Sequence, residues 1–193
     1  MPIIEKINNN NCRIAVWNTS ESLSELIELA KELDTQYISN NKRKKEYISS
    51  RVLLKQLRLC TEITYNSYGA PEIKDNNFIS ISHSKDLTAI IISKNKVGLD
   101  IEKISEKALK LSSKFIKKKT HIPLSKDKAT LIWCCKEAIY KWHQEGNVNF
   151  SDDIIISPFT LKQEGILNAE FKQTKLTLYY KKIKTHFLVY VCK

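Results

Sequence analysis

The chain has 193 residues and 42% hydrophobic content, enough for one large domain or two small ones with a buried core. Lysine and arginine total 32 against 21 aspartates and glutamates, a formal net charge of +11 that implies an anionic partner: nucleic acid, a phosphate-bearing cofactor or an acidic protein. No apolar run nears the ~18 residues of a membrane span, Met1-Pro2-Ile3-Ile4-Glu5 has no secretion-signal pattern, and the five cysteines contain no C-x-x-C pair, so the reading is a cytoplasmic protein with reduced thiols and neither a zinc ribbon nor a disulfide framework.

In chain order, a strand is predicted near 13–17 and a helix from about Ser22. There Ser22-x-x-Glu25 forms a capping box, and Leu23, Leu26, Ile27, Ala30 and Leu33 make an apolar stripe. A second helix spans about 41–59, turn chemistry follows at 66–71, and short strands lie at 78–82 and 87–93. From Val97 the order returns: a strand at 97–102, helices at about 105–119 and 125–145, and strands near 154–161, 175–181 and 187–192. A strand, two helices and several strands, repeated without residue-level identity, predict an α+β fold of two similar lobes related by a pseudo-two-fold. The lobes would be residues 1–96 and 97–193, meeting at the Lys94-Asn95-Lys96 turn.

The strand of the second half reads Gly98-Leu99-Asp100-Ile101-Glu102. Side chains alternate along a strand, so Asp100 and Glu102 project together while Leu99 and Ile101 point into a core. The helix after it carries Leu131, Ile132, Cys135, Ala138, Ile139 and Trp142 on one face, with Gly146 placed as its stop. Trp133, Glu137 and Lys141 fall on another stripe. Taken singly, Glu137 and Lys141 read as a surface pair worth roughly 0.2–0.5 kcal/mol, and Asp100 and Glu102 as an edge strand protected by charge. Taken together, three hard oxygen donors suit Mg²⁺, which keeps waters and draws further ligands from a substrate phosphate. The flanking lysines address the remaining phosphate charge, and Gly98 lets the backbone be approached closely. Cys134, Cys135 and His143 are not read as a metal site, because adjacent helical residues point about 100° apart.

At these residues the chain resembles the phosphopantetheinyl transferases of the single-chain, two-lobed kind. Their G-[IVL]-D-[IVL]-E strand stands here as Gly98 to Glu102. Their W-x-x-K-E-[AS]-x-x-K helix stands as Trp133-Cys134-Cys135-Lys136-Glu137-Ala138-Ile139-Tyr140-Lys141, and their N-[IV]-S-H-[ST] as Ser80-Ile81-Ser82-His83-Ser84. The resemblance implies a phosphopantetheinyl transferase-like fold. It also implies transfer of the phosphopantetheine arm of coenzyme A to a serine hydroxyl of an apo acyl or peptidyl carrier protein, with release of 3′,5′-ADP. Asp100, Glu102 and Glu137 would hold Mg²⁺, with Mn²⁺ as the alternative. Glu137 would accept the serine proton and Lys141 would stabilise the leaving diphosphate. Lys136, next to Glu137 in the chain, would help Lys141 there, and His83 would contact the CoA 3′-phosphate, with Ser82 and Ser84 donating nearby. Asn41 to Arg51 resembles the family's basic helix, and Arg43 and Arg51 are chosen there because guanidinium forks suit phosphate oxygens. Which of Lys42 to Lys45 points inward stays open.

Two positions depart from the family pattern. Ala70 stands where a lysine or arginine is usual, and Ser80 replaces the asparagine, so weaker or differently arranged CoA binding with retained chemistry is expected. Nine lysines against Glu106 and Asp127 between Lys103 and Lys128 would steer an acidic carrier. A metal-dependent nuclease is the rival enzyme, but its D…E-x-K pattern is broken by Ile104. A nucleic-acid-binding module lacks aromatic residues among the basic runs and leaves the carboxylates unused. A monomer serving a carrier of unspecified pathway, with neither nucleic acid nor membrane as partner, is the resulting expectation.

Overall fold

The computed structural model describes residues 3–8, 12–57, 62–117 and 123–193. The first half opens with an antiparallel pair, β1 (Ile3–Asn8) and β2 (Arg13–Asn18), of which β1 was not predicted. Helix α1 (Leu23–Leu29) starts at the Ser22–Glu25 capping box and ends before Ala30, sooner than the stripe implied, though Ala30 and Leu33 still pack in the core. Helix α2 (Asn41–Gln56) is capped by the Asn40 side chain, which accepts from the Arg43 N–H, and it buries Ile48, Leu53 and Leu54. The end of the predicted helix at residues 58–59, and Cys60, fall outside the described residues.

The 66–71 turn joins two strands of three residues each, β3 (Ile63–Tyr65) and β4 (Pro71–Ile73), too short to carry a readable alternation. Strands β5 (Phe78–Ser84) and β6 (Leu87–Ser93) complete an antiparallel six-stranded sheet in the order β1-β2-β6-β5-β4-β3. Ala15, Trp17, Ile90 and Ile92 pack under α1 and α2. The alternate residues Ile14, Val16, Ala89 and Ile91 pack on Leu99, Ile101 and Leu188 from the second half. Both faces of β6 are therefore covered, and every residue of Leu-Thr-Ala-Ile-Ile-Ile-Ser is buried.

The second half begins with β7 (Val97–Lys103), followed by a short helix α3 (Glu106–Lys110) and a 3₁₀ turn (Ser112–Lys114), where a single helix over 105–119 was predicted. Helix α4 (Lys126–His143) leads to β8 (Ile154–Ile156), β9 (Glu164–Phe171), β10 (Thr174–Ile183) and β11 (His186–Cys192). Of these, β8 is shorter than predicted and β9 was missed. The five strands form an antiparallel sheet in the order β7-β11-β10-β9-β8, and α4 covers it through Leu131, Ile132, Cys135, Ala138 and Ile139. The fold is thus α+β with two sheets, each half showing the expected order of strand, two helices and several strands.

Two expectations change at α4. The helix stops at Gln144, whose φ of 64° is left-handed, so Gly146 is not its cap. Gly98 is indeed a point of close approach, but the backbone that approaches it is that of α4. A Cβ there would lie against the Ala138 carbonyl, 2.5 Å from the Trp142 nitrogen and 2.8 Å from its Cβ. No helix among the described residues is long and apolar enough to cross a membrane.

Candidate functional site

Strand alternation on β7 turns Leu99 and Ile101 into the core between the sheets and Asp100 and Glu102 towards α4. Asp100 is only 3% exposed. Its Oδ1 accepts from the Ser82 hydroxyl on β5 and from the Lys141 ammonium on α4, each at 2.7 Å, while Oδ2 is buried with no hydrogen-bond partner. The Cys134 thiol packs beside this carboxylate, held in its protonated form by burial first and by Asp100 second, and donates to the Phe187 carbonyl at 3.4 Å. Glu102 Oε1 accepts from the Trp133 indole at 3.0 Å.

Burial first, and then the charge of Asp100, push both Glu102 and Glu137 up to about 7. Lys141 works against the shift in both, and Trp133 does so for Glu102. The three predicted carboxylates therefore share one neighbourhood and feel one another. They are not closed around a point: among the described residues no group of three or more His, Cys, Asp or Glu side chains stands ready to grip an ion. The cation found against Asp100 is the ammonium of Lys141. Hard oxygen donors, two carboxyls raised towards neutrality by burial and then by the charge of Asp100, and an unpartnered buried oxygen on the third nonetheless fit a divalent cation.

Two clefts reach the cluster, one through Lys141 and the other through Glu102. The first, of about 500 Å³, runs between α2, the 66–71 turn, β5 and α4, and its walls include Arg43, Tyr47, Ser80, His83, Tyr140 and Lys141. His83 lies in this wall with Nε2 buried and unpartnered, and desolvation foremost, then Lys141, pushes it down to about 4. It is thus neutral at pH 7. Ala70 also lines the wall, so the missing basic side chain leaves an apolar stretch there. The second cleft, about 520 Å³, is lined by Glu102, Lys103, Lys107, Lys114, Phe115 and Trp133.

Other predicted residues lie elsewhere. Of the basic run on α2, Arg43 reaches the first cleft and Lys42, Lys44 and Lys45 do not. Arg51 stacks on Tyr47, its guanidinium carbon 3.4 Å from the ring centroid, and donates to the Tyr47 carbonyl, away from the cleft wall. Ser82 and Ser84 turn their hydroxyls to β7, where they accept from Ile101 and Lys103 N–H. Lys136 is buried and donates to the Phe150 carbonyl at 2.5 Å and to that of Ile154, so it clamps the loop before β8; burial pushes it down to about 8. Of the lysine-rich segment, Lys117 pairs with Asp152 and Lys126 with Glu106, and Lys118 and Lys119 fall outside the described residues.

Sequence reasoning named Ser82 and Trp133 but not as donors to the carboxylates. Trp133 was on the right stripe, but its partner 31 residues away was not legible. Ser82 stood in the Ser-His-Ser run as a donor near CoA, and its bond to Asp100, 18 residues on, was not legible.

The model of the 4′-phosphopantetheinyl transferase superfamily matches residues 96–192, half of the chain. The 4′-phosphopantetheinyl transferase gsp of Aneurinibacillus migulanus is 30% identical over 117 residues, covering 57% of this chain and 47% of the relative. The match thus spans about half the length of that curated relative.

Proposed function

The chain belongs to the 4′-phosphopantetheinyl transferase superfamily, and on that premise we propose that it transfers the 4′-phosphopantetheine arm of coenzyme A to a serine hydroxyl of an acidic apo carrier protein, releasing 3′,5′-ADP. The observation that carries this reading is that two clefts reach the carboxylate cluster, the first through Lys141, which donates to Asp100, and the second through Glu102. One is walled by Arg43, His83 and Lys141 and the other by Glu102 and three lysines.

In this reading CoA occupies the first cleft. Arg43 supplies a guanidinium fork to its phosphates, and neutral His83, with a free Nε2, meets the 3′-phosphate. Asp100, Glu102 and Glu137 would hold Mg²⁺, or Mn²⁺ in its place. When bound, the cation neutralises charge at the diphosphate. Lys141, a quarter exposed along its side chain, leaves Asp100 to meet the same diphosphate and follows the negative charge as it builds on the leaving group. The serine hydroxyl enters from the second cleft, past Lys103, Lys107 and Lys114, which attract an acidic carrier.

Glu137, on α4 beside Asp100 and Glu102, is the group assigned to take the serine proton. As the serine oxygen bonds to the β-phosphorus of CoA, the bond from that phosphorus to the bridging oxygen breaks and its electron pair departs on 3′,5′-ADP. This reading divides the chain into lobes at residues 1–96 and 97–193 and sets it in the cytoplasm as a monomer.

The test is to incubate the protein with CoA, Mg²⁺ and a panel of apo carriers and to look for the added mass of phosphopantetheine. Asp100→Ala and Glu137→Ala are expected to abolish transfer with the fold retained by circular dichroism. Full activity in both variants, or no added mass on any carrier, would overturn the reading.

A further inference from the structure

Ser80, Ser82 and Ser84 lie on one side of β5, and all three are buried. Each hydroxyl accepts a backbone N–H of β7: Leu99 to Ser80 at 3.0 Å, Ile101 to Ser82 at 3.3 Å and Lys103 to Ser84 at 3.0 Å. The strands belong to different sheets, so these side chains stitch β5 to β7 without a backbone ladder. Among the described residues the middle serine alone goes further, donating to Asp100 Oδ1 at 2.7 Å.

A serine hydroxyl has a single proton. With one lone pair engaged by the Ile101 N–H, that proton is aimed away from β7's backbone and along the line to the carboxylate. The resulting N–H to O–H to carboxylate chain is directional, and each bond polarises the next. The other donor to the same oxygen, Lys141, sits on a flexible stem at the edge of the first cleft. Once Lys141 turns to a phosphate, Ser82 is the fixed donor that remains on Asp100.

We infer that Ser82 is a positioning residue of the cation site. Reaching across from the other sheet, it sets the plane of the Asp100 carboxylate, so that a divalent cation meets a ligand already oriented. The inference rests on the reading that Asp100, Glu102 and Glu137 hold a divalent cation. It separates Ser82 from Ser84, which shares the stitch to β7 and lacks the bond to Asp100.

The experiment titrates the full chain with Mn²⁺ alone, without CoA or carrier, and reads free ion by electron paramagnetic resonance. Ser82→Ala is expected to weaken Mn²⁺ binding by about 10- to 100-fold, the usual cost of losing an outer-shell partner. Ser84→Ala, which loses the same kind of bond to β7, is expected to stay within about twofold of the parent while melting as early as Ser82→Ala. Should Ser82→Ala not fold, Ser82→Cys, similar in shape and a weak donor, carries the same expectation. Ser82→Ala within about twofold of the parent, or Ser84→Ala weakened to the same degree as Ser82→Ala, overturns the inference and leaves the cation site standing. A parent that takes up no Mn²⁺, or Asp100→Asn binding as tightly as the parent, overturns the cation reading and the role of Ser82 together.

Discussion

Replacing Gly98 by alanine tests whether the packing of α4 on β7 sets the geometry of the candidate site. The new Cβ would meet the Ala138 carbonyl and the Trp142 nitrogen, the latter at 2.5 Å, where ordinary contact begins at 3.4 Å. Both obstacles are helix backbone, so no side-chain rotation relieves them, and α4 must retreat by about 0.9 Å or more. Overpacking of this kind costs roughly 1–3 kcal/mol. Glu137 and Lys141 lie in the same turns, so their approach to Asp100 lengthens with the helix. A displacement near 1 Å is worth on the order of 100-fold in rate when it misplaces reacting groups. Gly98→Ala should therefore melt earlier and lose about 10- to 100-fold in kcat/KM, with the Lys141–Asp100 contact of 2.7 Å lengthened in a crystal structure of the variant. An alanine variant that melts with the parent and keeps full activity would show that α4 does not rest on residue 98 as described.

Other consequences concern charge and hydrogen bonds. Without divalent cations, Glu102 and Glu137, at about 7 against an ordinary 4.5, keep protons in the folded state that the unfolded chain has released. The stability they contribute should then fall as pH rises from about 4.5 through about 7, by at most roughly 1.4 kcal/mol per proton for each unit. His83, depressed from 6.5 to about 4, works in the opposite sense between those values and partly offsets the fall there. Melting curves in EDTA should show the loss, Glu137→Gln should shrink it and millimolar Mg²⁺ should flatten it; a level profile in EDTA would refute the crowding of the carboxyls. Trp133→Phe keeps the ring between Phe115 and Phe150 but removes the indole N–H from Glu102, so the Glu102 titration should move upward and transfer should fall about tenfold, measured by pH-rate profiles. Lys136→Met strands the Phe150 and Ile154 carbonyls at a cost of about 1–3 kcal/mol, and calorimetry should show lower stability with CoA affinity within about twofold of the parent.

Much of this protein was written in short-range pattern. The apolar spacing along α4, the capping box at Ser22 and the alternation on β7 each depend on neighbours within a few residues, and each is found in place. The carboxylate pair, the helix glutamate and the Ser-His-Ser run also pointed to the superfamily before any coordinates, because they stand in the order and spacing of that family's motifs. What remained hidden was the partner of each group. Lys136 reads as a lysine of the phosphate site, yet it is enclosed by the carbonyls of Phe150 in the loop before β8 and of Ile154 at the start of that strand. Arg51 reads as a phosphate ligand, yet it lies on Tyr47. Asp100 meets Ser82 across 18 residues and Lys141 across 41. One-dimensional periodicity specifies which face of an element is apolar and what chemistry it carries. Where that face lands, and so which proton points at which oxygen, is decided only when two sheets and a helix close on the same buried carboxylate.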